Sequence, residues 1–121
     1  MSVLTLDGDD NVTMSDVLAL ATLTLGTGVG ADAVRVEFLA ATDVLQVSVA
    51  DGNDVVAMTD ILGLGDINLR LGAGEDVASG TRVDTEGAVL FDGGQGVDTL
   101  TYNGISGEAG TQIVSFEVVP P

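Results

Sequence analysis

The sequence predicts an all-β fold, a right-handed parallel β-helix (β-solenoid) of about five and a half coils of 22 residues each. Three observations carry this expectation. Asp10, Asp32, Asp54, Asp76 and Asp98 recur every 22 residues without a slip, each preceded two positions earlier by Gly8, Gly30, Gly52, Gly74 or Gly96. Apolar residues keep the same phase: Val12, Val34, Val56, Ala78 and Leu100 lie two positions after the aspartates, and Val3, Leu25, Val47, Leu69 and Phe91 lie seven before. Around these columns apolar and polar residues alternate, the period of a strand with one buried face, and no window is long and periodic enough for a helix.

Each unit is expected to hold two clear strands and a short third. The first follows the aspartate, as in Val34-Arg35-Val36 and Val56-Ala57-Met58. The short one is marked by Val17, Leu39, Ile61, Val83 and Ile105, with turn residues such as Gly63, Gly65, Gly87 and Gly107 after it. The remaining strand, as in Leu45-Gln46-Val47-Ser48-Val49, leads into the next glycine turn. Coils of this kind stack about 4.8 Å apart, so equivalent residues lie over one another. Inward columns of Val, Leu, Ile and Met then form the core, each fully buried side chain contributing roughly 1.5–3 kcal/mol. Unit four carries only Ala78 and Gly80 inward and is expected to be thin or bent.

Residues 1–121 are expected to form one domain. Ile113 carries its column into a partial sixth unit, and the chain runs to Pro120 and Pro121 without the glycine and aspartate that unit would bring. With neither end showing an amphipathic helical cap, the expectation is either a segment of a longer array or a subunit that stacks end to end as a homo-oligomer or filament.

Acidic residues number 19 against 3 basic ones, a formal charge of -16. Nucleic acid is therefore excluded as a partner, because phosphate binding rests on Lys and Arg. The chain has no His, Cys, Lys or Trp, which removes the thiol nucleophile, the imidazole base, the Schiff-base amine and the usual zinc and copper ligands. Catalysis is not expected. Met1 to Leu6 holds no basic segment with an apolar run, so no signal peptide is expected. The longest uncharged stretch, Val17 to Ala31, is too short and too glycine-rich to enter a bilayer.

The aspartate column needs a physical explanation. Two unit charges 4.8 Å apart repel by about 3.5 kcal/mol at an effective dielectric near 20. Arg35, Arg70 and Arg82 sit at other phases and cannot line the column. A hard divalent cation suits it better, since calcium takes oxygen ligands only and accepts backbone carbonyls from a glycine turn. The competing reading is metal-free, with each aspartate capping its own turn through side-chain to backbone hydrogen bonds.

Residues Gly93 to Thr101, reading Gly-Gly-Gln-Gly-Val-Asp-Thr-Leu-Thr, resemble the calcium-binding nonapeptide of the repeats-in-toxin (hemolysin-type) family. Thr27 to Arg35 and Leu71 to Ser79 lack its first glycine. Thr5 to Thr13 and Val49 to Ala57 keep only the last glycine and the aspartate, adding Asp7 and Asp9 in one and Asp51 and Asn53 in the other. The family usually runs its nonapeptides in tandem as a flat roll. A single turn per 22 residues implies one row of sites along one edge and a rounder or triangular coil. The resemblance implies calcium shared between neighbouring turns, with Asp7, Asp9, Asp10, Asp32, Asp51, Asp54, Asp76 and Asp98 as candidate ligands. The function expected is an extracellular or cell-surface calcium-binding structural solenoid, part of a filament, surface layer or adhesin. The alternative is a metal-free spacer or glycan-binding module, for which Phe38 is the one aromatic at an outward phase.

Overall fold

The computed structural model describes residues 1–119, with side chains described as far as Glu117. It is a parallel β-solenoid of stacked coils, with no helix among the described residues and hence none long and apolar enough to cross a membrane. One sheet is built from the short strands β1 (Ser2–Leu4), β3 (Leu23–Gly26), β5 (Leu45–Ser48), β7 (Ile67–Arg70), β9 (Ala88–Asp92) and β11 (Gly110–Val114). The other holds β2 (Asn11–Ala19), β4 (Ala33–Ala41), β6 (Val55–Gly63), β8 (Val77–Thr85), β10 (Thr99–Gly107) and β12 (Glu117–Val119). The columns read from the sequence are the ladder partners: Val3 pairs with Leu25, Leu25 with Val47, Val47 with Leu69, Leu69 with Phe91, and Phe91 with Ile113.

The nine-residue strands are creased. Asp16, Phe38, Asp60 and Arg82 have φ of 55°, 55°, 55° and 51°, and Gly104 continues the column at 81°. These residues drop out of the ladder, which runs Ser15 to Glu37 and then Val17 to Leu39. Inward positions change parity there, from Val34 and Val36 to Leu39 and Ala41. Each coil thus has three extended arms, which accounts for the short third strand expected from the sequence. The left-handed conformation costs an L-residue roughly 1–2 kcal/mol, least for Gly, Asn and Asp. At the fourth corner Arg82 donates through Nε and Nη2 to the carboxylate of Asp60, the Nη2 bond being 2.8 Å, and so ties two corner residues across adjacent coils.

Unit four is not thin. Phe91, fully buried, and Ile105 occupy the space that Ala78 and Gly80 leave: a Cβ placed on Gly80 would lie 2.7 Å from Ile105 Cδ1 and 3.4 Å from Phe91 Cε2. A large residue one arm away replaces the volume missing from the column itself, as close packing requires.

The last coil is shorter than the rest. Glu117 pairs with Thr99, a step of 18 instead of 22. Its N–H donates to Asp98 O at 2.7 Å, as Thr99 N–H does to Asp76 O at 2.9 Å. Half-buried Phe116 therefore stands where the repeat would place another aspartate.

Candidate metal-binding edge

The turns between the two sheets stack as regularly as the strands. Gly8 N–H donates to Val29 O, Gly30 to Asp51 O, Gly52 to Ala73 O and Gly74 to Gln95 O, at 2.8–3.0 Å. Glycine is required here by both conformation and space. Gly74 and Gly96 have φ of 152° and 122°, and a Cβ on either would fall within 1.8 Å of the carbonyl oxygen of Gly52 or Gly74.

Behind the glycines the five anchor aspartates point inward in one register. Asp32, Asp54, Asp76 and Asp98 are at most 2% exposed, and Asp10, on the first coil, is half-buried. One oxygen of each of the last four serves the coil before it: Asp10 N–H donates to Asp32 Oδ1, Asp32 to Asp54, and Asp54 to Asp76, each at 2.8 Å, and Asp76 to Asp98 at 2.9 Å. The aspartates therefore cap a neighbouring coil and not their own turn, which corrects the metal-free alternative in its detail. Bonds of this charge-assisted kind contribute roughly 1.5–3 kcal/mol each.

The second oxygen has no such partner. Oδ2 of Asp10, Asp32, Asp54, Asp76 and Asp98 is buried and unpaired in all five cases, as are Oγ1 of Thr5 and Thr27. Burial raises the Asp54 carboxyl above its ordinary value against the opposing pull of the Asp32 N–H, and the charge of Asp32 adds to the rise. For Asp76 burial, with the Asp54 and Asp98 carboxylates adding to it, pushes the group up to about 6. An orphaned buried carboxylate oxygen calls for a proton, a water or a cation.

The other candidate ligands lie on the outer side of the turns. Asp7 Oδ1 accepts from Val29 N–H at 3.0 Å and Asp9 Oδ1 from Ala31 N–H at 2.9 Å, and Asn53 Oδ1 does the same for Glu75 at 3.0 Å. Asp51 is exposed. These side chains do not join the inner column. Among the described residues no three acidic side chains converge on one point. A cation at this edge would thus rest on one or two carboxylates per level with carbonyls and hydroxyls completing the shell, a donor set that suits calcium. In the nonapeptide turn, Ser115 O and Asp98 Oδ2 both approach the bare Cα of Gly93, where a Cβ would lie 2.2 Å and 2.8 Å from them.

Sequence reasoning missed Thr5 and Thr27, whose phase, five before the anchor, is shared by Val49, Leu71 and Gly93. It also left Asp60 and Arg82 apart, although their spacing of 22 places them on adjacent coils. Fold and stacked turns together define a parallel β-solenoid repeat protein. No family model, curated protein or solved structure matches the chain.

Proposed function

We propose that this chain is a structural β-solenoid whose glycine–aspartate edge binds calcium, as the resemblance of Gly93 to Thr101 to the repeats-in-toxin nonapeptide suggests. The observation that carries the reading is the column of five buried, unpaired Oδ2 atoms. The ion would neutralise like charges that hydration reaches poorly, and would link neighbouring coils through the carboxylates and turn carbonyls. Sites with so few carboxylates belong to the weak class typical of extracellular modules, with Kd of about 10⁻⁴–10⁻³ M, and the reading therefore places the protein outside the cell or on its surface. Filament, surface layer and adhesin are all assemblies in which such a rod serves, and either open sheet edge accepts a further coil from flanking sequence or from a second copy. No catalytic role is proposed. Phe38, 55% exposed, supports the glycan-binding alternative, and binding to an immobilised glycan set that is lost in Phe38→Ala would favour it.

The test is a calcium titration of the chelated protein. At ten times Kd, one site stabilises the fold by about 1.4 kcal/mol, so the melting temperature should rise by several degrees. A melting temperature unmoved at about 10 mM calcium, ten times the weakest Kd of that class, removes the metal from the proposal.

A further inference from the structure

The residue five before each anchor changes in chemistry along the rod. Thr5, Thr27, Val49, Leu71 and Gly93 form one column, because each donates its N–H to a carbonyl of the following coil: Gly26, Ser48, Arg70, Asp92 and Val114, at 2.9–3.1 Å. This column borders the anchor carboxylates, since a Cβ on Gly93 would lie 2.9 Å from Asp98 Cβ. Val49 and Leu71 are 3% and 0% exposed, so hydrocarbon fills the position on the levels of Asp54 and Asp76. Thr5 and Thr27 bring a hydroxyl to the levels of Asp10 and Asp32. There, two kinds of oxygen are orphaned together: Oγ1 of both threonines and Oδ2 of both aspartates are buried, and none is bonded to another. Asp32 itself is 2% exposed. A hydroxyl that could donate and a carboxylate that could accept, both buried and both unpaired, leave two kinds of oxygen at these levels without a partner.

We propose that cations bind this edge only at its two ends, at a hydroxyl–carboxylate site of Thr5, Asp10, Thr27 and Asp32 and at the Gly93–Asp98 turn, while Val49 and Leu71 exclude them from Asp54 and Asp76. The inference rests on the calcium reading above and narrows its column of five carboxylates to Asp10, Asp32 and Asp98 as ligands, taking Asp54 and Asp76 out of the binding set. A threonine hydroxyl is a competent ligand for a hard divalent cation, as in phosphate-binding loops where it sits on Mg²⁺. An aliphatic side chain in the same place supplies no oxygen and takes up the volume the ion needs.

Calorimetric titration of the full chain with calcium, after a melt in chelator has shown each variant folded, tests this. Thr27→Val keeps the shape and removes only the hydroxyl, so it should lose one class of site or weaken it at least tenfold. Asp54→Asn should leave the stoichiometry unchanged, and the double variant V49T/L71T should raise it. Equal losses in Thr27→Val and Asp54→Asn would mean a uniform column and overturn the proposal while leaving the calcium reading intact. So would undiminished binding in Thr27→Val, the outcome expected if water fills the site. No heat from the unmodified chain overturns both.

Discussion

Asp76 Oδ1 accepts the backbone N–H of Asp54 at 2.8 Å across one coil, while its Oδ2, equally buried, has no partner. The two oxygens of one carboxylate therefore do separate work. The first secures an amide that no strand ladder reaches, and the second carries the cost of burial. Replacing Asp76 by Ala should cost about 1–3 kcal/mol, because the Asp54 N–H is left buried and unsatisfied. Asp76→Asn keeps an acceptor oxygen and sheds the charge, so in chelator it should lose far less. Urea denaturation of both variants checks this, and equal losses would show that charge matters here and the amide cap does not.

Acidity should stabilise the metal-free protein. Burial raises Asp76 from an ordinary 3.8 to about 6 and raises Asp54 as well. A carboxyl raised on folding contributes stability that is complete below its unfolded value and is lost as pH rises through the folded one. In chelator the melting temperature should thus be higher at pH 5 than at pH 7. Calcium needs ionised ligands, so in its presence the difference should shrink or reverse. Thermal melts at the two pH values, with and without calcium, decide it; a metal-free melting point that climbs from pH 5 to pH 7 would refute the burial argument.

Phe91 fills the volume that Gly80 leaves. Phe91→Ala should cost about 3–5 kcal/mol, and adding Gly80→Val in that background should recover part of the loss. Gly80→Val alone should destabilise through overpacking against Ile105. A double-mutant cycle measures the coupling; strict additivity would mean the two positions do not share a space.

Gly96 and Gly8 hold the same phase with different surroundings. A Cβ on Gly96 would lie 1.7 Å from Gly74 O, whereas one on Gly8 meets nothing within 4 Å, and both residues have positive φ, 122° and 127°. Gly96→Ala should therefore cost well over 1 kcal/mol, and Gly8→Ala only the conformational part, of order 1 kcal/mol. Denaturation midpoints for the pair separate crowding from conformation, and similar midpoints would show that crowding at Gly96 relaxes.

The strand partners were legible because a period of 22 leaves parallel stacking only one register: Val34 can lie over Val12 and under Val56 and nowhere else. The crease was partly legible too, in the odd step from Val36 to Leu39. Its corner residues share the 22-residue phase but not one side-chain chemistry, and only the backbone conformation of Asp16, Phe38, Asp60 and Arg82 marks that phase as a corner. The aim of the anchor carboxylates was not legible. Whether an aspartate caps its own turn or the next coil depends on turn geometry, and spacing along the chain is the same for both. Compensation by Phe91 escaped for a related reason, since the aromatic belongs to a different column from the gap it fills.

Because each anchor aspartate after Asp10 serves the coil before it, the rod has no obligatory length. Removing residues 55–76 would leave the Asp54 amide facing the carboxylate of Asp98, in the geometry it now has with Asp76. An excision that is not a whole number of 22-residue units would throw each later level out of phase. Whole units are thus the natural increments by which such a protein lengthens or shortens, and tandem duplication adds one without creating a junction that needs repair.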